Sequence, residues 1–183
     1  MGGSILGNRV LRKEDPKFLT EGGKYVDDLL DEPMLAGAVH VTYARSTVAH
    51  GNITSIDASD AKAMPGIIAV FTGADLDLQQ VPSAFNPAAT RTLLATDKVR
   101  YVGEPVVAIV SQTREQGEDA SEAVIINYDV LPALIDLETS MASDLHLYAA
   151  CGSNVVFDTM VLGLPDNTGD AYFADCEVVV KGR

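Results

Sequence analysis

The side chains capable of chemistry in this 183-residue chain are few and scattered. Its three histidines, His40, His50 and His146, include no pair three or four residues apart, the spacing that sets two imidazoles on one helix face for a metal. His50 closes a polar turn that begins at Arg45 and Ser46, and beside a strand its simplest use is a hydrogen bond to local backbone. Glu104, in the turn Val102-Gly103-Glu104-Pro105, could be offered as a general base. Against that, glycine and proline define a tight turn there, with the carboxylate exposed or paired with Arg100 or another cation. The acidic pairs Asp27-Asp28 and Glu118-Asp119 have no convergent partners and belong on solvated faces. Gly2 to Gly7 has the look of a phosphate loop, but Asn8 and Arg9 stand where a lysine and a hydroxyl residue are required, and no strand precedes it. Cys151 and Cys176 have neither redox-pair nor metal-site spacing and are expected to be reduced thiols. No Ser/His/Asp set has motif support. The expectation is a chain with no catalytic, cofactor-binding or metal-ligating residue of its own.

The elements that would position these groups are organised around Lys98 to Glu138. Val106 to Val110 is a continuous apolar run, the pattern of a strand covered on both faces. Thr113 and Gln116 form a capping-box signature opening a short helix, and Val124 to Tyr128 returns to strand-forming residues before Leu131-Pro132. A strand, helix, strand run of this length predicts a parallel pair joined by a right-handed crossover. Residues 52 to 71 predict a second such unit: a strand over Asn52 to Ile56, a short helix begun by Asp57 to Asp60, and a buried strand over Ile67 to Phe71.

Elsewhere the signals are weaker. A half-buried strand is expected over Met34 to Thr42, a short extended segment at Tyr25-Val26, and a long loop over Asp75 to Thr90. Arg91 to Leu94 reads as a brief pairing segment, Thr139 to Leu145 as a helical turn or two, and His146 to Asp170 as a tail wrapping the domain. Glu177 to Val180 reads as a last strand. Asp15-Pro16 biases the first residues toward an extended arm. The predicted layout is an arm over 1–20 and one α+β domain over 21–183, with a mixed sheet and short crossover helices.

A net charge of −13 argues against nucleic acid and anionic membrane surfaces as partners. Arg9, Arg12, Lys13 and Lys17 nevertheless cluster at the start, as in an arm that lies on another surface, or as solvated scatter. Neither a membrane-spanning run nor a secretion signal is evident, which leads to an expectation of a cytoplasmic location.

The stretch VRYVGEPVVAIVSQTREQGEDASEAVIINYDVLPALIDLE resembles the N-terminal α/β hammerhead domain of the molybdopterin-binding large subunit of the xanthine dehydrogenase, aldehyde oxidase and aerobic carbon monoxide dehydrogenase family. Leu11 to Leu29, Ala44 to Leu76 and Gly169 to Val180 are similar to that family too, in the same order. Gly117, in the middle of the central helix, departs from it and should cost about 1 kcal/mol of helix propensity. The resemblance implies that molybdopterin, iron-sulfur clusters and FAD lie in other domains or subunits of a holoenzyme, and that no catalytic residue carries over. What does carry over is structural: an arm from Arg12 to Leu29, a turn from Arg45 and Ser46 to His50 able to hydrogen-bond an adjoining subunit, and the entry to the core strand from Tyr101 to Pro105, with Gly103 and Glu104 as candidate interface residues. The implied partners are the remaining large-subunit domains and the iron-sulfur and FAD subunits. The alternative is a stand-alone, non-catalytic binding module that keeps the fold and self-associates.

Overall fold

The computed structural model describes residues 12–29, 32–157 and 173–180, which fall into two compact units, Met1–Ala38 and Val39–Arg183. In the first, α1 spans Asp15–Thr20. The extended arm expected from Asp15-Pro16 is therefore a helix over these residues: proline lacks only a donor that the first turn leaves unpaired anyway. Arg12 pairs with Asp15 at 3.2 Å, both at the surface. Val26–Leu29 and Pro33–Leu35 form 3-10 turns, replacing the extended segment expected at Tyr25-Val26 and the first part of the strand expected from Met34. Residues 1–11 of the arm, and 158–172 of the tail, lie outside the described residues.

The second unit contains β1 (His40–Arg45), β2 (Gly51–Asp57), α2 (Ser59–Ala63), β3 (Ile67–Thr72), β4 (Val81–Pro82), β5 (Thr90–Arg91) and β6 (Lys98–Val99). These are followed by β7 (Pro105–Ser111), α3 (Arg114–Glu122), β8 (Ile125–Val130) and α4 (Leu137–Ala142). Two three-stranded sheets have the orders β1-β7-β3 and β6-β2-β8, with a small β4-β5 ribbon, and every ladder is antiparallel. The two strand, helix, strand units are present, but neither makes a parallel pair. The chain passes through α2 from the second sheet to the first, and through α3 from the first back to the second. The physical reason is occupancy: both edges of β7 are taken by β1 and β3, so β8 must pair elsewhere, with β2. Of the segments expected to pair weakly, Thr90–Arg91 does so with Val81–Pro82, whereas Glu177 to Val180 joins no ladder.

Val106, Val107 and Ile109 of β7 are completely buried, as the apolar run predicts, and each contributes roughly 1.5–3 kcal/mol by leaving water. Small residues close the helices onto them: Ala61 on α2 and Ala120 on α3 have no exposure. The capping box is formed as read, with the Gln116 N–H donating to the Thr113 hydroxyl at 3.4 Å and the Thr113 N–H donating to Gln116 Oε1 at 3.1 Å.

At the start of α4 the Thr139 N–H donates to the Asp136 carboxylate at 2.8 Å, and this bond holds the Asp136 carboxyl below its ordinary value of 3.8. A carboxyl lowered on folding stabilises the folded chain above its unfolded pKa, and that contribution disappears as pH falls from 3.8 through the lower folded value. Acid titration followed by amide NMR should show Thr139 losing protection in that window. An Asp136→Asn variant, which keeps an oxygen acceptor but no titrating group, should flatten the response.

Candidate functional site

The residues with functional signals in the sequence converge on two turns, one after β1 and one before β7. The Ser46 N–H donates to the Glu104 carbonyl at 2.9 Å, the Gly103 N–H donates to the Ser46 carbonyl at 2.8 Å, and an Arg45 guanidinium N–H donates to the Gly103 carbonyl at 3.0 Å. Gly103 sits at φ +90°, a conformation that favours glycine, which explains its place in the turn. The Ser46 hydroxyl donates to the Val48 carbonyl at 2.7 Å and shapes its own turn. Glu104, read from the sequence as exposed or ion-paired, is instead 4% exposed. Its carboxylate accepts the Arg100 backbone N–H at 2.5 Å, so the bond is to Arg100 but to its main chain.

His50 is 1% exposed and its Nδ1 lies 2.8 Å from the Pro132 carbonyl, a partner 82 residues away and not the local backbone expected. Because a carbonyl only accepts, this bond places the proton on Nδ1 and leaves Nε2, which is buried, with no hydrogen-bond partner among the described residues. Arg12 belongs to the first compact unit, where it pairs with Asp15.

Two contributors have no motif in the sequence. The guanidinium of Arg100 donates to the Leu147 and Lys98 carbonyls at 3.0 and 3.1 Å and lies 5.1 Å from the centre of the Tyr148 ring, so it ties the segment after α4 to the core. Tyr128, on β8, buries its hydroxyl with no partner in hydrogen-bond geometry among the described residues; the neighbouring Ser46 hydroxyl has its proton on Val48.

Burial pushes the Tyr128 phenol above its ordinary value of 10.0; the Ser46 hydroxyl opposes this and the negative charge of Glu104 adds to it. A raised folded pKa contributes stability that is intact below pH 10.0 and is lost as pH rises through the folded value. Tyr128→Phe should therefore remove part of the alkaline instability in urea melts taken on either side of pH 10.0. At neutral pH it should leave stability unchanged or raise it by about 1 kcal/mol, because an unbonded buried hydroxyl is removed.

The hub fixes a platform at the surface. Tyr43, Leu93 and Tyr101, which are 39%, 71% and 41% exposed, line a cleft of about 280 Å³ above Glu104 and Pro105. A second cleft, of about 370 Å³, shares Tyr43 with the first and is lined also by Arg45, Glu122 and Tyr128. Among the described residues no group of three His, Cys, Asp or Glu side chains is placed to hold a metal. Cys151 and Cys176 are both free. No helix of the described residues is long and apolar enough to cross a membrane.

Residues 21–132 match the family profile described as "Aldehyde oxidase and xanthine dehydrogenase, a/b hammerhead domain". The chain is 39% identical over 144 residues to the nicotine 6-hydroxylase large subunit of Paenarthrobacter nicotinovorans, covering 75% of this chain and 17% of that protein. It is 37% identical over 145 residues to the carbon monoxide dehydrogenase large chain of Afipia carboxidovorans, covering 78% and 17%. The crystal structure of quinoline 2-oxidoreductase from Pseudomonas putida 86 superposes with a TM-score of 0.66 at 34% identity, over 80% of this chain and 19% of that one. The chain thus spans less than a fifth of the length of each of these proteins. Its antiparallel sheets, its helices passing between them and the matched residues together make this chain a member of the aldehyde oxidase and xanthine dehydrogenase α/β hammerhead family.

Proposed function

We propose that this chain is the structural and subunit-interaction domain of a molybdenum-dependent hydroxylase large subunit, and that it has no active site of its own. The observation that carries the proposal is the use of its buried polar groups. Ser46, Gly103 and Glu104 are bonded to one another and to adjacent backbone, and they hold exposed Tyr43, Leu93 and Tyr101 in a fixed array instead of facing a reacting group. Apolar side chains displayed on a rigid base suit protein contact. Molybdopterin, iron-sulfur clusters and FAD are assigned to other domains or subunits. Among the described residues the donor sets do not fit a metal, and the polar groups of Ser46, Gly103 and Glu104 beside the platform are bonded, leaving His50 Nε2 and the Tyr128 hydroxyl as the unpaired buried side-chain atoms. The residues from Arg45 to Glu104 act in this scheme by positioning the platform, and Arg12, exposed on the first unit, is a separate candidate partner contact.

The test is to purify the protein from its host and identify what accompanies it. Molybdopterin, iron-sulfur and FAD-binding polypeptides should co-purify, and Leu93→Asp together with Tyr101→Asp should release them while leaving the circular dichroism spectrum unchanged. If the chain freed of companions oxidises an aldehyde or a purine at an enzymatic rate, the proposal fails. It also fails if the chain brings nothing down and instead self-associates in light scattering through the same platform.

A further inference from the structure

Residues 136–157, which follow the last strand, are braced from within. The Asn154 amide donates to the Ser140 carbonyl at 3.0 Å and to the Leu145 carbonyl at 2.7 Å, and its oxygen accepts the Leu147 N–H at 3.0 Å. One side chain thus gathers points 14, 9 and 7 residues back along the chain, which closes the segment into an Ω-shaped loop. Within it, α4 is capped by Asp136, and the Cys151 N–H donates to the Tyr148 carbonyl at 2.9 Å to close a 3-10 turn over Ala149–Cys151.

The same loop is seated superficially on the sheets. Among the described residues it joins no ladder, and neither α4 nor the 3-10 turn contains a buried residue. The Arg100 guanidinium ties its middle through the Leu147 carbonyl and the Tyr148 ring. Near its end the Phe157 ring centre lies 4.6 Å from that of Phe85, in the turn of the β4-β5 ribbon. Between ribbon and loop lies a third cavity, of about 380 Å³, lined by Val81, Ser83 and Ala89 from one side and by Tyr148 and Val156 from the other. Just ahead of the loop the chain is pinned. The Pro132 carbonyl is held by His50 Nδ1, and the Leu131 N–H donates to the His50 carbonyl at 2.9 Å. Residues 133–135, between the pin and the loop, have no regular structure, and Ile135 is 92% exposed.

We propose that residues 136–157 are a preformed lid that swings on residues 133–135 and opens the ribbon cavity without losing its own structure. A fixed post at Pro132, an irregular three-residue connection and an internally braced body are the parts such a motion requires. Arg100 is the latch, and Phe157 is a second tie against Phe85. When the lid lifts, Tyr148 and Val156 leave the cavity, and Ala89, 6% exposed beneath it, meets solvent. The inference does not depend on the subunit-interaction reading.

The test uses the 183-residue chain with both free cysteines replaced, Cys151→Ser and Cys176→Ser, and a single thiol introduced by Ala89→Cys. Its rate of labelling by a maleimide reports opening, and amide hydrogen exchange at Leu147 reports whether the Asn154 brace survives. Arg100→Met, which keeps the stem and removes the guanidinium, should raise the labelling rate about tenfold while leaving Leu147 exchange as slow as in the parent. Phe157→Ala, outside the cavity lining, should raise it about threefold and serves if Arg100→Met does not fold. Asn154→Ala should speed both labelling and Leu147 exchange, since it dissolves the lid itself. Three results would overturn the proposal. Labelling indifferent to Arg100→Met and Phe157→Ala would mean that the lid does not gate the cavity. Leu147 exchange rising in step with labelling in those two variants would mean that the loop unravels instead of swinging. Labelling that appears only at urea concentrations where the β7 amides exchange would mean that the cavity opens by global unfolding.

Discussion

Gly117→Ala is expected to destabilise the protein by about 1–3 kcal/mol, although alanine is worth about 1 kcal/mol more than glycine in a helix. A Cβ at this position would sit 2.5 Å from Thr42 Oγ1, 2.8 Å from Ser111 Oγ and 3.1 Å from Thr42 Cβ. Neither hydroxyl has room to retreat. Thr42 is β-branched and stiff on β1, and the Ser111 hydroxyl is committed to the Thr113 carbonyl at 2.7 Å, immediately before the helix. The helix would have to lift from both strands, loosening the completely buried Ala120 one turn later. Gly117→Val should be worse, by about 3 kcal/mol or more. Urea midpoints measure both variants. Because the collision is with a named side chain, Thr42→Ala should recover part of the loss in the Gly117→Ala background, a coupling a double-mutant cycle resolves. A Gly117→Ala protein more stable than the parent would show that α3 does not bear on β1 as described.

Glu104→Ala is expected to cost about 1.5–3 kcal/mol, since it removes a buried charged acceptor and leaves the Arg100 N–H unpaired inside the protein. The damage should spread through the turn, because the same residue's backbone carbonyl accepts the Ser46 N–H. Hydrogen exchange at Ser46 and Gly103 should accelerate together. Glu104→Gln keeps an oxygen in place for the Arg100 N–H and should retain most of the stability. It also deletes the negative charge near Tyr128, so that phenol should titrate lower than in the parent. Slow, unchanged exchange at Ser46 and Gly103 in Glu104→Ala would mean that the two turns are held by something other than this hub.

Much of the local structure was legible because local chemistry specifies it. The capping pair Thr113 and Gln116, the apolar run of β7 and the strand segments around Ile67 and Val124 were placed within a residue or two of where they form. Strand pairing was not legible. A continuous apolar run says that β7 is covered on both faces but not which neighbours take its edges, and the parallel expectation failed on that point. Gly117 was misjudged for a related reason: helix propensity is a property of the isolated segment, whereas the glycine serves a contact with β1 and β7. At the candidate site, the residue types in the two turns were recognisable. The burial of Glu104, the distant partner of His50 and the unbonded hydroxyl of Tyr128 arise only when segments far apart in sequence meet.

The antiparallel partners of this fold are remote from one another along the chain: His40 faces Ser111, and Gly51 faces Val130. Until residue 105 is translated, β1, β2 and β3 have been made but β7 and β8, the strands they need, have not. A nascent chain in that condition exposes unpaired strand edges for seconds, at synthesis rates of about 5–20 residues per second, and ordered pairing must wait until β7 and β8 clear the exit tunnel. The hammerhead is therefore committed to folding late and all at once, and in the cell the period of greatest exposure to chaperones and aggregation falls before residue 105 is translated.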